Sequence, residues 1–177
     1  MRKYIDIISE SNHCSTKFDD IEGDLFESDS RSPIEDIIAR AGFSVDDCDH
    51  INHGECGSFA VALFEVLRER HIPARIGLIA RSHSEDPTRF GDQHSLYWGH
   101  MFIESQGRYF DAEGEVLMEH MISNYLGGFV EAGYEVKAFY FDSLDELFRH
   151  VRPQDVINSA VKPRLQARIS EGKWYEE

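Results

Sequence analysis

Basic residues are scarce in this chain: 18 Lys and Arg stand against 33 Asp and Glu among 177 residues, a formal charge of −15. With a pI near 4.9, the surface would repel polyphosphate, which argues against a general nucleic-acid or anionic-membrane binder. Also missing is any apolar run of about 18 residues, the length a membrane span needs. The opening Met1-Arg2-Lys3-Tyr4-Ile5-Asp6 meets an acid too early for a signal peptide. Cysteine is sparse as well: Cys14, Cys48 and Cys56 are an odd set in a chain too large to need stapling. That pattern predicts a reducing, cytoplasmic setting and a thiol free for chemistry. There is no P-loop, dinucleotide fingerprint or paired-carboxylate motif, so nothing calls for a nucleotide or other cofactor. Internal repeats and low-complexity tracts are absent too.

What remains is enough for one packed domain. Hydrophobic residues make up 41% and aromatics 12%, material for a single core at this length. The first fifty residues hold thirteen acids and five bases, so residues 1–31 read as an acidic arm. That arm is either a solvated face or a docking segment for a basic partner. Residues 32–151 form the predicted core and 152–177 a polar helical tail around Pro163, with Trp174-Tyr175 near its end.

Pro33 to Ala41 predicts a helix capped by Ser32, with Pro33 at its first position and Gly42 at its end. From Cys56 to Arg70, the residues Phe59, Ala62, Leu63, Val66 and Leu67 form one apolar stripe at helical spacing. Ala74–Ala80 reads as a strand and Arg81–Gln93 as a polar loop. Leu96–Glu104 and Arg108–Ala112 read as a β-hairpin. Trp98, His100, Phe102 and Glu104 are expected on one face, with Gly99, Met101 and Ile103 on the other. Apolar bulk on both faces predicts a sheet covered on both sides. Glu115–Leu126 reads as a helix stopped by Gly127-Gly128, and Tyr134–Phe141 as an aromatic strand. Ser143 and Glu146 form a capping-box pattern for a helix to about Val151. Helices followed by a block of strands predict an α+β fold with a mainly antiparallel sheet.

Chemistry concentrates around Cys56, in His53-Gly54-Glu55-Cys56-Gly57-Ser58. At a helix start, free backbone N–H groups and the positive dipole end would favour a thiolate. Gly54 and Gly57 would let the backbone turn and a substrate approach closely. A nucleophilic thiol needs a base, usually His, and a group to orient it. His100 and Asp111 are the candidates, because each interrupts an apolar strand where a lone polar group is disfavoured. A Ser105-Gln106 turn would set them directly opposite. A Gln106-Gly107 turn would set them diagonally on one face, about 7 Å apart. Gly in the second turn position favours the latter, as a type I′ turn. A three-residue loop would separate them onto opposite faces.

Gly54-Glu55-Cys56-Gly57-Ser58-Phe59-Ala60, with Leu67-Arg68 and Ile72-Pro73-Ala74-Arg75, resembles the core of transglutaminase-like cysteine proteins. Gly99-His100-Met101-Phe102 and Tyr109-Phe110-Asp111-Ala112 resemble their His and Asp motifs. The order Cys, His, Asp is similar as well, while Gly57 and Met101 stand where that family commonly carries aromatics. The resemblance covers about Ile51 to Gly114. It implies a papain-like fold, with the nucleophile helix on a sheet that presents His and Asp. It also implies peptidase, transglutaminase, deamidase or amide-hydrolase chemistry, or an inactive copy.

The expected activity is cysteine-dependent acyl transfer, with Cys56 as nucleophile, His100 as acid and base, and Asp111 orienting the imidazole. An oxyanion would take the Cys56 N–H and a donor from Asn52 or His53. Trp98 is expected beside the substrate. The partner is expected to be a protein or peptide, basic or neutral to suit the acidic surface. A rival of another class is a catalytically inactive module, such as an intracellular inhibitor with an acidic docking face. A third reading takes Cys48, His50, His53 and Cys56, with His94 nearby, as a zinc set. Four ligands within nine residues close a tetrahedron with difficulty, so no metal is assigned.

Overall fold

The computed structural model describes residues 31–82 and 97–171, all within the second of two units, Arg31–Glu177. The acidic arm apart from Arg31, Cys14, most of the polar loop with His94, and Trp174-Tyr175 lie outside the described residues.

Helix α1 spans Pro33–Ala41, and its sequence signals act as expected. The Ser32 hydroxyl accepts the Glu35 N–H while the Glu35 carboxylate accepts the Ser32 N–H, and Gly42 ends the helix in the left-handed region. Helix α2, Val45–His50, is capped the same way by Ser44 and Asp47. A π-helical turn, Ile51–Glu55, follows and runs directly into α3, Cys56–Glu69. No sequence signal had been assigned to these two segments.

Five antiparallel strands form one sheet in the order β4-β3-β2-β1-β5. They are β1 Arg75–Arg81, β2 Tyr97–Ser105, β3 Arg108–Asp111, β4 Gly114–Val116 and β5 Val136–Phe141. Ile76, Leu78, Met101, Ile103 and Phe110 meet α3 on one face. Ile79 and Phe102 meet Met121 and Leu126 of α4, Met118–Glu131, on the other. The architecture is thus α+β, with the sheet covered on both sides. Among the described residues, no helix is long and apolar enough to cross a membrane.

Helix α3 is more central than its predicted stripe. Ala60, Val61 and Phe64 are buried along with Phe59, Leu63 and Leu67, because α3 lies between the sheet and α7, Lys162–Glu171. A helix apolar on all sides has to be covered on all sides. The predicted tail is therefore part of the packing. Short α6, Pro153–Val156, and α7 press Val156, Leu165 and Ile169 into the same core. Arg168 reaches the Ala41 and Gly42 carbonyls at 3.3 and 3.1 Å.

Four expectations change. Gly114–Val116 is a strand, since Asp111 pairs with Gly114 across a tight turn that Gly114 enters at φ 112°. Helix α4 then starts later and runs through Gly127-Gly128 to Glu131. Two interior glycines cost about 1 kcal/mol each, and burial of Met121 and Leu126 outweighs that. Helix α5 covers only Leu144–Leu147; Ser143 caps it, but Glu146 turns back to the Asp142 N–H rather than to Ser143. The fourth change is a β-bulge in β2. Ile79 pairs with His100 and Ala80 with Trp98, leaving Gly99 as the extra residue. The bulge swings Trp98 off the His100 face and onto the α3 side of the sheet. A Cβ on Gly99 would sit 2.6 Å from the Leu126 side chain, so α4 approaches the β2 backbone there.

Candidate functional site

Hairpin register decides whether His100 and Asp111 can meet. The pairs Ile103–Phe110, Glu104–Tyr109 and Ser105–Arg108 leave Gln106-Gly107 as the turn. Its φ values are 55° and 79°, as a type I′ turn requires. His100 and Asp111 therefore lie diagonally on one face, with Nε2 to Oδ2 at 3.5 Å. Both side chains are buried. The other Asp111 oxygen accepts the Glu113 N–H at 2.9 Å, which anchors the carboxylate in its turn. Neither imidazole nitrogen makes a close, well-aligned bond.

Cys56, the first residue of α3, is 5% exposed and lies close enough to His100 to act on its titration. Burial works against a charged His100 ring. The neighbouring Asp111 carboxylate, then the Cys56 sulfur, outweigh it and hold the pKa up to about 9. Sulfur, imidazole and carboxylate, distant along the chain, thus converge on β2.

The entry into α3 differs from the expected loop-to-helix start. The π-turn abuts it, so the first amides of α3 follow a turn of helix rather than an open loop. The cause lies upstream: the Ser44–Asp47 box begins helical structure eleven residues before Cys56. The residues flanking the sulfur are fixed by α6 and the chain after it. Glu55 accepts the Ser58 hydroxyl at 3.1 Å and the Asn158 side-chain amide at 2.8 Å, while Ser58 accepts the Asn158 N–H at 2.9 Å. A Cβ on Gly57 would meet the Val156 carbonyl oxygen at 2.5 Å. Gly57 thus serves close helix packing and faces away from the cleft, where the sequence placed it beside substrate.

A cleft of about 300 Å³ opens on Cys56, walled by Asn52, His53, Trp98, Asn124 and Tyr125. Asn52 is 2% exposed. Its Oδ1 faces the Ala112 N–H at 3.4 Å, and its Nδ2 is buried without an acceptor. An unpaired buried donor beside a nucleophile is a ready partner for a developing oxyanion. His53 sits on the rim, its Nδ1 held 3.0 Å from the Asp49 carbonyl and 3.2 Å from the Asp49 carboxylate. Trp98 reaches the cleft despite its change of face. Gly54 lines the same opening with nothing near its Cα.

Tyr125 and Asn124 carried no signal in the sequence. They lie on α4, whose pattern reads only as a core-facing helix. Yet the Tyr125 ring lies flat on the His100 ring, with centroids 3.9 Å apart and planes 8° from parallel.

The zinc set does not assemble. Cys48 turns inward and donates to the Ala112 carbonyl at 3.2 Å. Burial, then Glu113 and Asp111, push that thiol's pKa up. Among the described residues, no group of three or more His, Cys, Asp or Glu side chains could hold a metal ion.

Compared with protein-family models, with curated proteins and with solved structures, the chain matches none.

Proposed function

We propose that this chain is a cysteine-dependent acyl-transfer enzyme built on a transglutaminase-like, papain-like plan. The observation that carries the reading is a single buried imidazole, His100, set beside both the Asp111 carboxylate and Cys56, which opens on a cleft. That arrangement supports a definite sequence of steps. The Cys56 sulfur attacks an amide or thioester carbonyl and forms a C–S bond. The oxyanion takes the Asn52 Nδ2–H. As the bond to the leaving amine or thiol breaks, the proton on His100 moves to that leaving group. Water or an amine then attacks the thioester, gives its proton to His100 and releases Cys56. Asp111 keeps the ring oriented throughout. The chain's negative surplus fits a basic or neutral peptide or protein substrate.

Incubation with p-nitrophenyl acetate followed by peptide mass mapping tests this. An acetyl adduct on the Cys56 peptide, absent in His100→Ala, is the expected result. No adduct at Cys56, or equal acetylation in His100→Ala, overturns the assignment.

One observation favours the second reading, an inactive docking module with an acidic face. The His100 side chain is fully enclosed and Cys56 nearly so. The two readings part on the same experiment, because a module leaves Cys56 unacylated.

A further inference from the structure

Tyr125 makes the closest aromatic contact in the site. Its ring stacks on the face of the His100 imidazole, with centroids 3.9 Å apart and planes 8° from parallel. It also meets the His53 ring, at 5.6 Å and 58°. The approach is fixed from behind, because Leu126, the next residue of α4, rests on Gly99, the next residue to His100 in β2. A side chain larger than hydrogen at the bulge would collide with the Leu126 side chain, on the residue next to Tyr125. The bulge, Gly99 and Tyr125 therefore form one device.

We infer that Tyr125 is a positioning residue for the proposed acyl transfer: its ring, laid on His100, sets the plane in which the imidazole joins Cys56 to Asp111 and favours the protonated ring. The inference rests on the proposed Cys–His–Asp reading and deepens it. Two physical effects support it. Rotation of the imidazole about its Cβ–Cγ bond would drive its edge into the phenol ring, so one orientation survives. An aromatic face over a desolvated cation is also attractive, and the imidazolium is the cation here. The phenol itself stays neutral, since burial, then Asp111 and Glu113, push its pKa well above the ordinary value.

The groups facing His100 are few. Asp111 comes from β3, Cys56 from α3 and Tyr125 from α4; the β1 neighbour, Ile79, is uncharged. Glu113 and Asp49 act on Tyr125 through charge, and His53 through ring contact. A change at Tyr125 reaches the sulfur–imidazole–carboxylate set through its ring contact with His100.

The test is the pH–rate profile of Cys56 alkylation by iodoacetamide in the full chain, with Cys48 as the internal control. Tyr125→Leu keeps apolar bulk and removes the aromatic face. It is expected to slow Cys56 labelling at neutral pH about tenfold and move the profile to higher pH. Tyr125→Phe is expected to recover most of that loss. Should Tyr125→Leu not fold, Tyr125→Met is read in its place. A tyrosine that only fills space gives a different pattern: the profile stays where it is, or Cys48 labelling rises in step as the core loosens. Either result overturns the inference, as does a Tyr125→Phe rate as low as that of Tyr125→Leu. The premise fails separately. If wild-type Cys56 is not labelled in preference to Cys48, or His100→Ala labels as wild type does, the acyl-transfer reading itself falls. With that premise intact, wild-type behaviour of Tyr125→Leu removes only the role of the stack.

Discussion

Asp111→Asn replaces the carboxylate beside His100 with an amide of the same shape, so it removes charge and little else. The carboxylate oxygen lies 3.5 Å from Nε2, and neither side chain reaches solvent to any useful extent. His100 is held up to about 9 from an ordinary 6.5, with burial opposing and Asp111 and Cys56 the two neighbours that support it. Removing the Asp111 charge leaves burial pulling downward against Cys56 alone. The His100 titration should then drop by at least about 1 pH unit, equivalent to about 1.4 kcal/mol of lost preference for the charged ring. A protonated imidazole is what stabilises the attacking sulfur, so Cys56 alkylation at neutral pH should slow by about tenfold. Histidine side-chain NMR, with His100→Gln to assign the signal among nine histidines, follows the titration. Iodoacetamide kinetics follow the sulfur. Asp111→Asn with the wild-type titration and the wild-type rate would refute the reasoning, because the 3.5 Å approach would then carry no electrostatic weight.

Other consequences follow from single contacts. Asn52→Ala should slow transfer from p-nitrophenyl acetate by about 10²-fold, within the range for a lost oxyanion donor; alkylation by iodoacetamide, which forms no oxyanion, should change little. Gly57→Ala forces a methyl against the Val156 carbonyl and should destabilise by about 1–3 kcal/mol in urea melts, whereas Gly54→Ala, with open space around it, should not. In a Cys56→Ser background the sulfur no longer exchanges a proton with the ring. There Asp111 remains to raise the His100 pKa, so the native state holds a proton the unfolded chain lacks: stability is full below about 6.5 and falls as pH rises through the folded value. Denaturant melts at stepped pH should show that decline, and His100→Gln in the same background should flatten it.

Local chemistry was legible in this sequence; tertiary choices were not. Ser32, Pro33 and Gly42 announce α1 because caps act within four residues. Gln106-Gly107 announces the turn, and the turn sets the register that brings His100 to Asp111. The diagonal pairing follows from backbone geometry alone, which is why it could be read in advance. Trp98 could not be placed, since the bulge at Gly99 arises from how closely Leu126 packs, a contact between β2 and a helix more than twenty residues later. Tyr125 stayed silent for the same reason: an aromatic on an amphipathic helix looks alike over a core leucine and over a buried imidazole. Gly57 misled, because a glycine beside a nucleophile fits both close substrate approach and close helix packing, and Val156 decides for the latter. The region between Gly42 and Cys56 lacked periodicity, so the π-turn that carries Asn52 and His53 to the cleft left no pattern to read.

Competitive labelling decides the central claim. Limiting iodoacetamide at neutral pH, followed by peptide mapping of Cys14, Cys48 and Cys56, is run on wild type and on His100→Ala. The account predicts that Cys56 takes most of the label in wild type and loses that preference in His100→Ala. Label spread without preference for Cys56 in wild type, or a preference that survives loss of the imidazole, contradicts it.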